Sequence, residues 1–287
     1  MKAVLKHELR LYFGSLTAYV FGAFLLIAVG IGAMLYNLQA AVSNFEFVLS
    51  FSSLIFAVIV PILTMRVIAE EKKQRTDQLL YSLPLSTAQV VLGKYLALLV
   101  VFLIPMVIIS IYPLIFSHYG DVYLLTSYGS LAAYFLMGAA LLAVGMFLSS
   151  LTDNQGFAAG LGIAVILLNY FSVSLAEYVS STATGSAITL FVLSGLLGWV
   201  IKCLTGSENL GYGMGIGLMG ITTAVFILDS DTLEGLLPGI MRKLSLFSRL
   251  DTFVNGVFDL TAVVYFLSVA AFFLFLTVQS LEKRRYN

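Results

Sequence analysis

The chain has 287 residues, 60% of them hydrophobic and only 10% charged, and its mean hydropathy is +1.00. A soluble fold of this length needs a polar surface that this composition does not supply, so the sequence is that of a polytopic membrane protein. Lysine plus arginine balances aspartate plus glutamate at 15 each, so net charge makes no case for nucleic acid or any other acidic ligand. The single Cys203 excludes an internal disulfide, and with only His7 and His118 there is no Cys/His cluster spaced for a metal.

The N-terminus lacks a short apolar region ending in a small-residue cleavage site, so the first apolar run reads as a retained span rather than a signal peptide. Ahead of it, residues 1–14 place Leu5, Leu9, Tyr12 and Phe13 at helical spacing, with Lys2, Lys6, Glu8 and Arg10 elsewhere around the turn. That pattern predicts a helix lying in the membrane interface. Eight windows then contain no Asp, Glu, Lys or Arg: Leu16–Tyr36, Phe47–Met65, Tyr95–Ser117, Val122–Thr152, Asn154–Ala176, Tyr178–Ile201, Asn209–Leu228 and Leu260–Leu281. Each can hold a helix of about 20 residues, enough for a hydrocarbon core of about 30 Å. A charge at mid-span costs about 2.5–3.5 kcal/mol on insertion scales, which is why the charges collect in the gaps.

The sixth and seventh windows are the weakest, because Tyr178–Ile201 opens on a polar run and Asn209–Leu228 is rich in glycine. Residues 178–228 therefore read either as two full spans or as a re-entrant hairpin beside six spans. With the N-terminus inside, 12 of the 15 basic residues fall on cytoplasmic segments, leaving Arg242, Lys243 and Arg249 outside. The positive-inside rule then puts both termini in the cytoplasm of a cell-membrane protein. In the outer segment 229–259, Leu236, Leu237, Ile240, Met241, Leu244 and Phe247 share one helical face, and Leu250, Phe253, Val254, Val257 and Phe258 share another. Two short amphipathic helices on the outer leaflet satisfy both. The expected fold is a single all-α transmembrane domain over residues 1–287, with six to eight transmembrane helices, a cytoplasmic coupling helix and an outer amphipathic or re-entrant segment.

Between the second and third windows lies an island of polarity, residues 66–94, holding Arg66, Glu70, Glu71, Lys72, Lys73, Arg75, Asp77 and Lys94. Ser86-Thr87-Ala88-Gln89 has the form of a capping box, and Pro84 disfavours helix at Leu83. A helix is thus expected to end near Leu83 and another to start near Thr87, running through Gly93-Lys94 into the third span. No stretch could hold ATP phosphates. Ala88 stands where a phosphate loop ending in Gly93-Lys94-Tyr95 needs its first glycine, and Tyr95 replaces the metal-binding hydroxyl. Gly215-Ile216-Gly217-Leu218-Met219-Gly220 spells a dinucleotide fingerprint but lies in an apolar run with no preceding strand. Gly211, Gly213, Gly215 and Gly217, like Gly156 and Gly160, instead suit close helix approach.

These residues carry a resemblance. Glu70-Glu71-Lys72, Thr76, Leu79-Leu80, Leu83-Pro84-Leu85-Ser86 and Val91-Leu92-Gly93-Lys94 resemble the loop between the second and third spans of ABC-2 type transporter permeases. Phe147-Leu148-Ser149-Ser150-Leu151-Thr152-Asp153-Asn154-Gln155 is a second similar block. A third runs from Gly256-Val257-Phe258-Asp259-Leu260 to Gln279-Ser280-Leu281-Glu282-Lys283-Arg284-Arg285 and is similar to the gliding-motility branch of that family. The sequence departs from the family pattern at Arg75, at Gln78 and in a longer 180–244 region.

The resemblance implies the transmembrane permease subunit of an ATP-binding-cassette transporter, an exporter, which is not itself an enzyme. ATP and Mg would bind to a separate ATPase subunit, which would contact Thr76, Leu79, Leu80, Leu83, Pro84, Leu85, Ser86 and Gln89. A second permease copy or a paralogue would complete the pathway in the lipid bilayer, with the outer amphipathic segment as its lid. Asn169, the one strongly polar side chain well inside a window, either faces that pathway or bonds across to a neighbouring helix. Two rival classes stand beside this reading. An ATP-driven mechanical or signalling complex without cargo needs the same coupling loop, and an intramembrane enzyme needs titratable groups at depth, which the windows lack.

Overall fold

The computed structural model describes residues 2–75, 86–179, 181–205, 207–228 and 233–286. The described residues form helices and no strands, in the order α1 Lys2–Gly14, α2 Leu16–Ala33, α3 Glu46–Thr64, α4 Ala69–Gln74, α5 Thr87–Ile109, α6 Ile111–Ser117 and α7 Leu124–Leu151, followed by α8 Gln155–Tyr178, α9 Ala183–Thr205, α10 Glu208–Leu228, α11 Leu236–Leu244, α12 Leu246–Val254 and α13 Leu260–Tyr286. A π-helical turn, Met34–Gln39, continues α2. Among the described residues seven segments are long and apolar enough to cross a membrane: Leu16–Gln39, Glu46–Gln74, Thr87–Ser117, Leu124–Leu151, Gln155–Tyr178, Glu208–Leu228 and Leu260–Lys283. In α9 the apolar segment is the shorter Ala183–Trp199, and its first turn still carries Thr184, Gly185 and Ser186 of the polar run that opens the sixth window. The chain is an all-α polytopic membrane protein.

The chain forms two compact units: residues 1–170 with 246–287, and residues 171–245. In the first, α7 is the central helix and packs against α3, α5, α12 and α13. Lipid tails are as apolar as the helix surfaces, so close packing and polar contacts must hold such helices together. Gly145 shows how close the approach is: a Cβ there would come within 2.2 Å of Thr64 Oγ1 on α3. The core around it is aromatic. Phe56 and Phe102 stack at 5.1 Å between centroids, and the fully buried Tyr134 bonds to Ser52 Oγ at 3.3 Å. The third window is divided at Ser110, just before Pro113, into α5 and α6, and Pro61 and Pro105 lie inside α3 and α5.

In the second unit, α9 and α10 pack together as a hairpin whose closest point is glycine on glycine. A Cβ on Gly198 would sit 2.7 Å from the Gly211 carbonyl oxygen and 2.9 Å from Gly215 Cα. Of the glycines expected to let helices approach, Gly211 and Gly215 do so, whereas Gly213, Gly217 and Gly160 face open space and Gly156 N–H bonds to the Asn154 side chain. Lys202 Nζ meets Glu208 at 2.6 Å and Tyr212 Oη at 3.0 Å near the turn of the hairpin.

Two expected faces need correction. In α1 the buried stripe is Val4, Glu8 and Tyr12; Leu5 and Leu9 are half-buried and Phe13 is exposed. The helix is thus rotated toward its acid, for the reason given below. In the 229–259 segment the first face does not run on to Phe247, because the helix breaks at Ser245. Phe247 belongs instead to the buried side of α12, with Leu246, Leu250, Phe253 and Val254.

Candidate functional site: the flanks of residues 76–85

Of the residues expected to meet an ATPase subunit, Thr76, Leu79, Leu80, Leu83, Pro84 and Leu85 lie outside the described residues. Ser86 and Gln89 lie within them. Ser86 has the extended backbone of an N-cap, φ −74° and ψ 148°, and its Oγ accepts from the Gln89 N–H at 3.3 Å, so the Ser86 half of the expected capping box starts α5 where the spacing placed it. On the other flank, α4 ends at Arg75, whose φ of 56° is a left-handed helix stop.

Two turns into α5, Lys94 points into the protein and is only 2% exposed. Its three N–H donors meet three acceptors: Glu8 Oε1 on α1 at 2.7 Å, Glu71 Oε1 on α4 at 2.6 Å and the Val67 carbonyl at 3.2 Å. Glu8 is 5% exposed, and the Glu71 side chain is 24% exposed. A buried lysine needs such partners, because an unpaired charge out of water costs several kcal/mol. This pull accounts for the rotation of α1. Beside Glu8, burial together with the charges of Glu8 and Glu71 pushes the Tyr12 phenol well above its usual range.

The end of α7 is tied in as well. Ser149 Oγ accepts from the Ile68 and Ala69 N–H groups at 3.3 and 3.1 Å, satisfying backbone donors at the start of α4, and donates to the Met65 carbonyl at 3.0 Å. The Ser150 carbonyl accepts from Lys72 Nζ and, at 3.3 Å, from Ser280 Oγ on α13. Arg66 forms a bidentate pair with Glu70 at 2.8 and 3.1 Å and also donates to Thr17 Oγ1 at the start of α2. The two flanks of residues 76–85 are thereby fastened to each other and to α1, α2 and α7. The three blocks that carry the resemblance, far apart in sequence, meet here at Lys72, Lys94, Ser149, Ser150 and Ser280.

Glu8 escapes a sequence reading that assigns charges to solvent. A signal exists all the same: Lys94 shares a helical face with the buried Val91 and Leu98, and Glu8 with Val4 and Tyr12. Asn169 lies elsewhere in the first unit, where its Oδ1 accepts from the Leu246 N–H at 3.0 Å at the start of α12.

The family model for ABC-2 family transporter protein matches residues 31–230, more than half of the chain and the whole of the 66–94 island. No curated protein matches the chain. Multi-pass, all-helical, with the family match running from α2 through α10, the chain belongs to the ABC-2 family and is a membrane permease of an ABC transporter.

Proposed function

We propose that this permease is an exporter driven by ATP hydrolysed on a separate ATP-binding-cassette subunit, and that this subunit docks on residues 76–89. The observation that carries the reading is the Lys94 knot. Residues 76–85 leave α4 and re-enter at α5, and both helices are pinned to α1 through one buried lysine. A push delivered to the segment between them is then passed to α4, α5 and α1 together. The Ser86 cap starts α5 rigidly, so the displacement passes into the third span. Both termini face the cytoplasm, and a second permease copy or a paralogue completes the pathway. The scarcity of charge within the spans favours an amphipathic or apolar cargo.

The experiment is co-purification in detergent with the ATP-binding-cassette subunit encoded beside this permease, comparing the intact chain with Pro84→Asp/Leu85→Asp and measuring ATP hydrolysis. Loss of binding and of permease-dependent hydrolysis only in the altered chain is expected. Equal binding and stimulation by both chains would place the docking site elsewhere. ATP-dependent accumulation in inverted rather than right-side-out vesicles tests the direction.

A further inference from the structure

We propose that the exposed face of α1 is a docking surface for anionic phospholipid headgroups. Lys2, Lys6 and Arg10 recur every four residues and are all exposed. At 1.5 Å per residue they form a cationic stripe about 12 Å long on one side of the helix. Among the described residues none of the three makes an ion pair or hydrogen bond. Elsewhere in the protein Arg66, Lys94 and Lys202 all have carboxylate partners. The one acid of α1, Glu8, is turned inward onto Lys94, so no negative charge of the helix dilutes the stripe.

What lies at the end of the stripe selects a bilayer over a soluble acidic partner. Phe13, eleven residues or three helical turns after Lys2, continues the same side of α1 and is 36% exposed. Across the bend at Ser15 it meets Tyr19, itself 60% exposed, with ring centroids 6.3 Å apart and Tyr19 Oη donating to the Phe13 carbonyl at 3.3 Å. The next exposed groups are Leu16 and Val20 at the start of the first span. Cations, then an aromatic pair, then aliphatic side chains is the polarity order of headgroup, interface and acyl chain. The aromatic pair thus fixes the depth of the elbow, and the stripe lies along the phosphate layer. Each cation near an anionic surface strengthens binding about fivefold at moderate ionic strength.

The test needs no ATPase subunit and is independent of the transport reading. The purified permease is supplied with equal amounts of phosphatidylglycerol and phosphatidylcholine in detergent, and the retained lipids are quantified. The wild type is expected to retain phosphatidylglycerol preferentially, with the preference falling as salt is raised. Lys2→Gln/Lys6→Gln/Arg10→Gln should lose at least tenfold of that preference. The charge-conserving Lys2→Arg/Lys6→Arg/Arg10→Lys should keep it, as should Arg242→Gln/Lys243→Gln. Full preference in the glutamine triple would overturn the proposal, and would be the outcome if an acidic protein were the true occupant. So would equal loss in the charge-conserving triple, and so would a glutamine triple whose loss merely accompanies reduced helix content.

Discussion

Replacing Lys94 with methionine keeps most of the apolar stem of the side chain and removes the ammonium group with its three donors. Glu8 and Glu71, which now share one ammonium group, would face each other across a mostly buried space. At an effective dielectric of about 20, each contact of roughly 2.7 Å supplies about 6 kcal/mol of Coulomb attraction. Desolvation of the three groups offsets most of it, and what an experiment reads is the about 3–5 kcal/mol lost when one partner of a buried pair is removed. The solvent access of Glu71 puts the value at the low end, about 3 kcal/mol, or roughly a hundredfold in a local opening equilibrium. The element that opens is α1, held to α5 by Glu8. The assay is maleimide labelling of Val4→Cys, a buried position, in a Cys203→Ser background where it is the only thiol. Labelling should accelerate about a hundredfold with Lys94→Met and less with Glu8→Gln, because the introduced amide oxygen can still accept from Lys94 and Lys94 stays paired with Glu71, so no charge is left buried alone. If Lys94→Met labels no faster than the exposed-site control Lys73→Met, the triad does not hold α1 and the reasoning fails.

Three further outcomes follow from the same geometry. Ser149→Ala leaves the Ile68 and Ala69 N–H groups without their acceptor, at about 1–3 kcal/mol, and should lower the melting temperature in detergent more than Ser268→Ala, whose hydroxyl bonds only within its own exposed turn. Gly198→Ala places a methyl against the backbone of α10, with an overpacking cost of about 1–3 kcal/mol, and should loosen the hairpin; Gly213→Ala, in open space, should not. Protease cleavage of the segment joining α9 and α10 reads the difference. Tyr12 has a folded-state phenol pKa above the unfolded value, so its contribution is whole below about pH 10 and is lost as the pH rises toward the folded value. Alkaline pH should therefore destabilise the wild type, and Tyr12→Phe should shift that loss to higher pH when melting temperature in detergent is followed against pH.

The membrane class and most span positions were legible because charge exclusion acts residue by residue: a charge at mid-span is costly wherever it occurs, so the charge-free windows and the helices nearly coincide. The Ser86 cap was legible because its hydrogen bond closes over three residues. What the sequence did not reveal were relations that close over long distances. Glu8 and Lys94 are 86 positions apart, and in α1 the Leu5/Leu9 face and the Val4/Glu8/Tyr12 face are equally helical. Only the presence of Lys94 on the facing helix decides between them. The glycines of α10 pose the same problem, since four of them are spaced for contact and only the two facing Gly198 make it.

A buried ion triad is a poor choice for stability alone, which raises the question of what it does that leucines would not. Well-packed apolar side chains of similar volume are often as stabilising as a buried ion pair, or more so by about 1–4 kcal/mol. They are also non-directional, so helices joined by them can slide by a fraction of a turn at little cost. Lys94 bonds Glu8, Glu71 and the Val67 carbonyl with its three donors at once, and sliding of α1, α4 or α5 breaks one of those bonds without replacing it. The two properties separate in one variant, Glu8→Leu/Glu71→Leu/Lys94→Met. Its melting temperature should equal or exceed that of the wild type, because every charge leaves together. Under the proposed function its permease-dependent ATP hydrolysis should fall, because displacement of residues 76–85 is no longer passed to α1 and α5 in fixed register. A variant as stable and as well coupled as the wild type would show that the triad only glues the helices, and that force leaves the 76–85 segment by another route.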